Sequence, residues 1–125
     1  PAPYLVKQLQ KLSQAGIVEA VAGRSGGYRL GRPASEITLL DIVLALEGPE
    51  PAFRCTEIRQ QGPAAVDAPR YLRPCGIARA MWRAEDAWRA ELNSVTIADI
   101  NQELTASVDP RQIAKAIAWF QEVLS

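Results

Sequence analysis

A mainly helical fold carrying one small β-hairpin is what this sequence predicts, and three observations predict it. Apolar residues recur at helical spacing in five separate stretches. One short apolar run is followed by Gly23, Gly26 and Gly27 and then by a second short run, the pattern of two strands and a turn. Glycines and prolines otherwise fall between these segments rather than inside them. At 125 residues and 48% apolar content, the chain is long enough for one domain with an ordinary core.

Leu5, Leu9 and Leu12 predict a helix over about 3–15, with Pro3 in the first turn, where its missing N–H costs nothing, and Gly16 as the cap. The opposite face of that helix offers Tyr4, Lys7, Gln8 and Lys11. Residues 17–21 and 28–30 predict two short strands, joined by Gly23-Arg24-Ser25-Gly26-Gly27 as a basic-tipped turn. A phosphate cradle is the competing reading of those glycines, but neither GxxxxGKS/T nor GxGxxG is present and no helix follows them.

Thr38 and Asp41, three apart, predict a capping box opening a helix whose apolar face is Leu39, Leu40, Val43, Leu44 and Leu46, stopped by Gly48-Pro49. The next stretch holds five of the nine prolines, at 49, 51, 63, 69 and 74, and is bracketed by Cys55 and Cys75, so an irregular loop is expected. A long helix over 76–93 follows. Its stripe of Ile77, Met81, Ala84, Trp88 and Leu92 needs cover, either within the domain or from a second copy, and two tryptophans on one helix favour the homodimer. Thr96 predicts the cap of a short helix containing Ile97 and Ile100, and Asp109-Pro110 starts a last amphipathic helix with Ile113, Ile117, Phe120 and Leu124 on one face.

Fourteen basic and fourteen acidic residues cancel, but unevenly. Residues 1–33 carry Lys7, Lys11, Arg24, Arg29 and Arg32 against Glu19 alone, which is five minus one, or +4. Such a basic lobe favours a polyanionic partner. The absence of histidine removes the commonest general base and metal ligand, and no CxxC pair is present to activate a thiol, so no enzymatic activity is expected. No apolar run approaches membrane-spanning length and the N-terminus lacks signal-peptide character, so the expected location is cytoplasmic, without membrane association.

Helix, basic-tipped hairpin, helix is the order of the second half of a winged helix-turn-helix, truncated at its N-terminus, with the first helix in the major groove and the hairpin as the wing. The segments Ala15-Gly16-Ile17-Val18, Gly26-Gly27-Tyr28-Arg29-Leu30, residues 36–43 (EITLLDIV), and Val95-Thr96-Ile97-Ala98-Asp99-Ile100 resemble the IscR, NsrR and CymR family of bacterial winged-helix regulators over about 1–100. The resemblance implies a dimeric transcription regulator of double-stranded DNA, whose activity in many members follows an iron-sulfur cluster or a thiol state. Residues 1–48 are then expected to be a partial DNA-binding lobe, 49–75 a cysteine-bracketed cluster loop, 76–94 a dimerisation helix and 95–125 C-terminal helices, of which 101–125 lie beyond the resemblance. DNA contact is expected from Tyr4, Lys7, Gln8 and Lys11, and from Arg24 at the hairpin tip.

Family members have two helices ahead of the recognition helix, whereas this chain opens on that helix, so it is expected to be a fragment. Cluster-binding members usually have three loop cysteines; only Cys55 and Cys75 are present, and Ala78 and Arg79 stand where a ligand histidine is expected. The residues flanking the two cysteines are most similar to the RsrR branch. There the similarity implies a 2Fe-2S cluster held by Cys55 and Cys75, with a glutamate and a histidine from the first helix of the other subunit. Mixed nitrogen and sulfur ligation is chemically reasonable, as Rieske centres show.

Overall fold

In the computed structural model, which describes residues 2–24, 26–54, 63 and 75–124, the leucines spaced along the first stretch form helix α1 (Ala2–Gln14). Its end is a Schellman turn. Gly16 adopts φ 75°, its N–H donates to the Ser13 carbonyl at 3.0 Å, and the Ile17 N–H reaches back to the Leu12 carbonyl at 3.0 Å. Ile17, the residue that follows, is buried. One turn therefore both terminates the helix and delivers an apolar side chain to the core.

From there the chain forms β1 (Val18–Val21) and β2 (Gly27–Leu30), an antiparallel pair in the register Val18 to Leu30 through Val21 to Gly27. Gly31 follows β2, and its N–H donates to the Ile17 carbonyl at 2.8 Å. A side chain there would meet the Gly16 carbonyl oxygen at 2.5 Å, so only glycine lets the returning strand close on the helix cap.

A single 3-10 turn (Ala34–Glu36), which the sequence pattern did not reveal, leads to α2 (Leu39–Glu47). Thr38 and Asp41 make the expected capping box in full, and Gly48 caps the other end at φ 87° with its N–H on the Leu44 carbonyl. Helix α3 (Gly76–Asn93) is followed by α4 (Ile97–Ser107), which repeats the box with Thr96 and Asp99, and by α5 (Pro110–Leu124). No helix among the described residues is long and apolar enough to cross a membrane.

Residues 1–49 and 92–125 form one compact unit and residues 50–91 another. In the first, the two capped turns pair with each other: Thr38 and Thr96 form an antiparallel bridge, Leu39 N–H donates to the Val95 carbonyl at 2.9 Å, and Ile97 N–H donates to the Ile37 carbonyl at 2.8 Å. Ile37 is fully buried at this junction. The expected apolar face of α5 is less covered than its pattern suggests, since Ile113 is half-buried but Ile117 and Phe120 are exposed.

In the second unit, α3 holds residues 50–54 by one face. The Ala52 N–H and the Arg89 guanidinium both donate to Glu85 Oε1, at 2.9 and 3.2 Å, and Arg89 also donates to the Glu50 carbonyl. Trp82 donates its indole N–H to the Phe53 carbonyl at 3.4 Å, and the two rings meet edge to face with centroids 6.3 Å apart. The Ala52 N–H, reinforced by Arg89, holds the Glu85 carboxyl below its ordinary range. Because that value is lowered on folding, its stabilisation is complete at neutral pH and is withdrawn as the pH falls below the ordinary glutamate value of about 4.3. In a protein with Trp88→Phe and Trp119→Phe, Trp82 emission is expected to shift red in that acid window. Glu85→Gln should abolish the pH dependence of the shift; an unchanged acid profile would contradict the clamp.

Candidate nucleic-acid interface and cysteine site

The face of α1 opposite its leucines divides by burial. Tyr4 (65% exposed), Lys7, Gln10 and Gln14 are open to solvent, whereas Gln8 and Lys11 sit half-buried at the boundary. Lys11 is tied down: its ammonium donates to the Leu46 carbonyl at 3.3 Å, in the last turn of α2, where carbonyls collect negative charge. Gln10 and Gln14 were absent from the sequence-derived set. The 7, 10, 14 spacing, which places both on the Lys7 side, was the signal available.

The five cations of the basic lobe are likewise unequal. Arg29 pairs across the hairpin with Glu19, its register partner. Arg32 lies 3.7 Å from the Asp41 carboxylate and donates to the Glu36 carbonyl. With Lys11 on Leu46, the cations without an acidic or carbonyl partner among the described residues are Lys7 on α1 and Arg24 at the hairpin tip, and both are exposed. Surface ion pairs of this kind contribute little stability, but they set which charges a polyanion meets.

Of the two cysteines, Cys75 is half-buried immediately before α3, and Cys55 lies outside the described residues. The Ala78 N–H donates to Cys75 Sγ at 3.3 Å and the Arg79 N–H donates to the Cys75 carbonyl at 3.0 Å. The position where a ligand histidine was expected is thus taken by a fully buried alanine whose amide supports the sulfur. Among the described residues no three His, Cys, Asp or Glu side chains converge to hold a metal ion. A sulfur receiving an amide N–H fits one thiolate position of an iron-sulfur cluster, where such hydrogen bonds tune the potential. The described residues supply that one position.

The stripe of α3 can also be read directly. Ile77 is 69% exposed, Trp88 48% and Met81 45%; Ala84 is exposed and Leu92 half-buried. This face is distinct from the one formed by Ala78, Trp82, Glu85 and Arg89, which carries residues 50–54.

The Rrf2 family, described as an iron-dependent transcriptional regulator, matches residues 1–103. The chain belongs to the Rrf2 family. Members of this family are transcription regulators, and the match covers both capped turns and the whole of α3. Protein aau3 of Rhizobium meliloti (strain 1021) is 41% identical over 97 residues, which are 78% of this chain and 59% of that protein, so the chain spans under two-thirds of that relative's length. Among solved structures, CymR (YrzC), the global cysteine regulator of B. subtilis, superposes with a TM-score of 0.59 at 30% identity, covering 80% of this chain and 67% of that one. IscR of T. potens gives 0.59 at 25% identity over 86% and 64%, and the oxidized form of Staphylococcus aureus CymR gives 0.56 at 29% identity over 78% and 63%. The helices and two-stranded hairpin are those of a winged-helix Rrf2-family chain, as the sequence pattern and the resemblance had implied.

The Lys11 contact yields a prediction about the Rrf2-family fold. Lys11→Met is expected to lower stability by about 0.5–1 kcal/mol through loss of the ammonium at the α2 terminus, while Lys7→Met leaves it unchanged. Thermal unfolding of the two variants checks this, and equal midpoints would remove the structural role assigned to Lys11.

Proposed function

We propose that the chain is a DNA-binding transcription regulator, acting as a cytoplasmic homodimer on double-stranded DNA, with operator affinity governed by a redox-sensitive 2Fe-2S cluster anchored at Cys55 and Cys75. The observation that carries the DNA-binding reading is the pair of uncompensated cations, Lys7 and Arg24, on the two elements a winged helix presents to a duplex. Tyr4 and Gln8 flank Lys7 on α1 and complete the proposed contact set, while Lys11, also expected there from the sequence, is held by the Leu46 carbonyl. Residues 1–48 then act as the DNA-binding lobe, 49–75 as the cysteine loop, 76–94 as the dimerisation helix and 95–125 as C-terminal helices.

The family's iron-dependent description supports a metal-responsive switch, and the N–H donated to Cys75 Sγ supports that sulfur as one ligand. Cys55 supplies the second. The remaining positions are assigned, as the similarity to the RsrR branch implies, to a glutamate and a histidine from the first helix of the other subunit. When bound, the cluster supplies one-electron redox chemistry and a change of local charge. Control of transcription requires that its two states differ in affinity for the operator.

Titration of duplex DNA against the purified protein at several salt concentrations, together with its visible spectrum, tests this reading. Lys7→Ala is expected to reduce the salt slope by about one phosphate contact, a slope change of ~0.9. Cys75→Ala is expected to abolish a dithionite-bleachable absorbance and make duplex affinity insensitive to oxidant. A colourless wild type that binds duplex would keep the regulator and discard the cluster; failure to bind any duplex would discard the regulator.

The exposed α3 stripe supports the homodimer, because a face with Ile77, Met81 and Trp88 uncovered in one protomer is matched by the same face of a second copy. Met81→Glu places one charge per subunit in that seam and is expected to give a concentration-dependent monomer by sedimentation. A stable dimer with native helix content would move the interface elsewhere.

A further inference from the structure

We infer that Gln10 is the residue with which α1 discriminates between base pairs, and that it reads an adenine through its side-chain amide. The inference rests on the DNA-binding reading above and goes beyond it in assigning specificity to a residue outside the set drawn from the sequence. Direct readout needs a side chain that is free to leave its own protein, lies in the groove-facing part of the helix, and carries a donor and an acceptor together. Tyr4 is exposed, but its single hydroxyl cannot donate and accept side by side in the bidentate manner that identifies one base. Gln8 is half-buried at the edge of the face, and Lys11 is held by the Leu46 carbonyl. Lys7 is free but offers only donors, and Gln14 is the last residue of the helix, adjoining its capping turn.

Gln10 meets every condition. It is exposed and shares the Lys7 face at i+3. It lies about 4.5 Å further along the axis than Lys7, a little more than one base-pair step, so a phosphate contact by Lys7 and a base contact by Gln10 are compatible. A glutamine amide donates to N7 and accepts from N6–H of adenine at once, a pattern that no other base pair presents in the major groove.

Selection from a pool of duplexes with a randomised core, using the full chain, tests the assignment. Wild type should enrich a motif with an adenine in each half-site. Gln10→Ala should relax that one position by about ten- to a hundred-fold in preference while leaving the salt slope and thermal midpoint unchanged, and Gln14→Ala, on the same exposed side, should keep the motif. Gln10→Glu supplies a gain of function that misfolding cannot mimic: a carboxylate accepts from cytosine N4–H, so the preference should move from adenine to cytosine at the same position. An intact motif in Gln10→Ala, or relaxation by Gln14→Ala in its place, would overturn the assignment while leaving the DNA-binding reading in place. A wild type that enriches no duplex would overturn both.

Discussion

Two threonine-capped turns, bridged to each other at Thr38 and Thr96, are the constraint on which the arrangement of this chain depends. Each turn satisfies its own helix's orphan amides through a reciprocal box, with Asp41 answering Thr38 and Asp99 answering Thr96. Each also has backbone groups left over, and these are spent on the other turn: Leu39 N–H on Val95 and Ile97 N–H on Ile37. The Thr38 hydroxyl adds a contact to Asn93 Oδ1 at 3.4 Å. Ile37, whose carbonyl takes part in the pairing, is itself fully buried.

In the other unit, residues 50–54 are held on α3. One helix face, through Trp82, Glu85 and Arg89, takes hydrogen bonds from or to residues 50–54. An adjacent face, through Ile77, Met81 and Trp88, stays apolar and uncovered. A single helix thereby separates the holding of its own unit from an exposed apolar face, with little interference between the two. The same division occurs on α1, where the leucines face inward and Lys7 and Gln10 outward.

Periodicity and capping chemistry made the helices legible, because both are local: the leucine spacing, Gly16, Thr38 with Asp41, and Thr96 all act within a turn of themselves. The Thr38 to Thr96 bridge was not legible, although ITLLDI and VTIADI carry the same Thr-x-x-Asp-Ile pattern, since pairing between distant caps has no local signature. The site was legible in residue type and less so in availability. Lys11 looks equivalent to Lys7 on a helical wheel, and only the position of the Leu46 carbonyl distinguishes them. Gln8 and Gln10 carry the same amide, and only the packing at the edge of α1 makes one half-buried and the other exposed. Cys55, which the spacing singled out together with Cys75, lies outside the described residues.

A charge count of +4 over the first 33 residues overstates what a polyanion encounters. After Arg29 turns to Glu19, Arg32 to Asp41 and Lys11 to α2, two cations per protomer are left for phosphate. Two contacts contribute a salt slope of only about 1.8, far below that of tightly binding repressors. These two contacts by themselves would hold a duplex weakly. Pairing two protomers doubles the number of phosphates reached and converts the second engagement into an intramolecular event, which raises overall affinity without any new contact. The apolar stripe of α3 and the sparse cations of α1 and the hairpin are thus parts of one design in the proposed regulator. Weak individual grips, joined through a two-fold seam, make affinity sensitive to the spacing of the two recognition helices, and a modest change elsewhere in the dimer needs only to alter that spacing to release DNA.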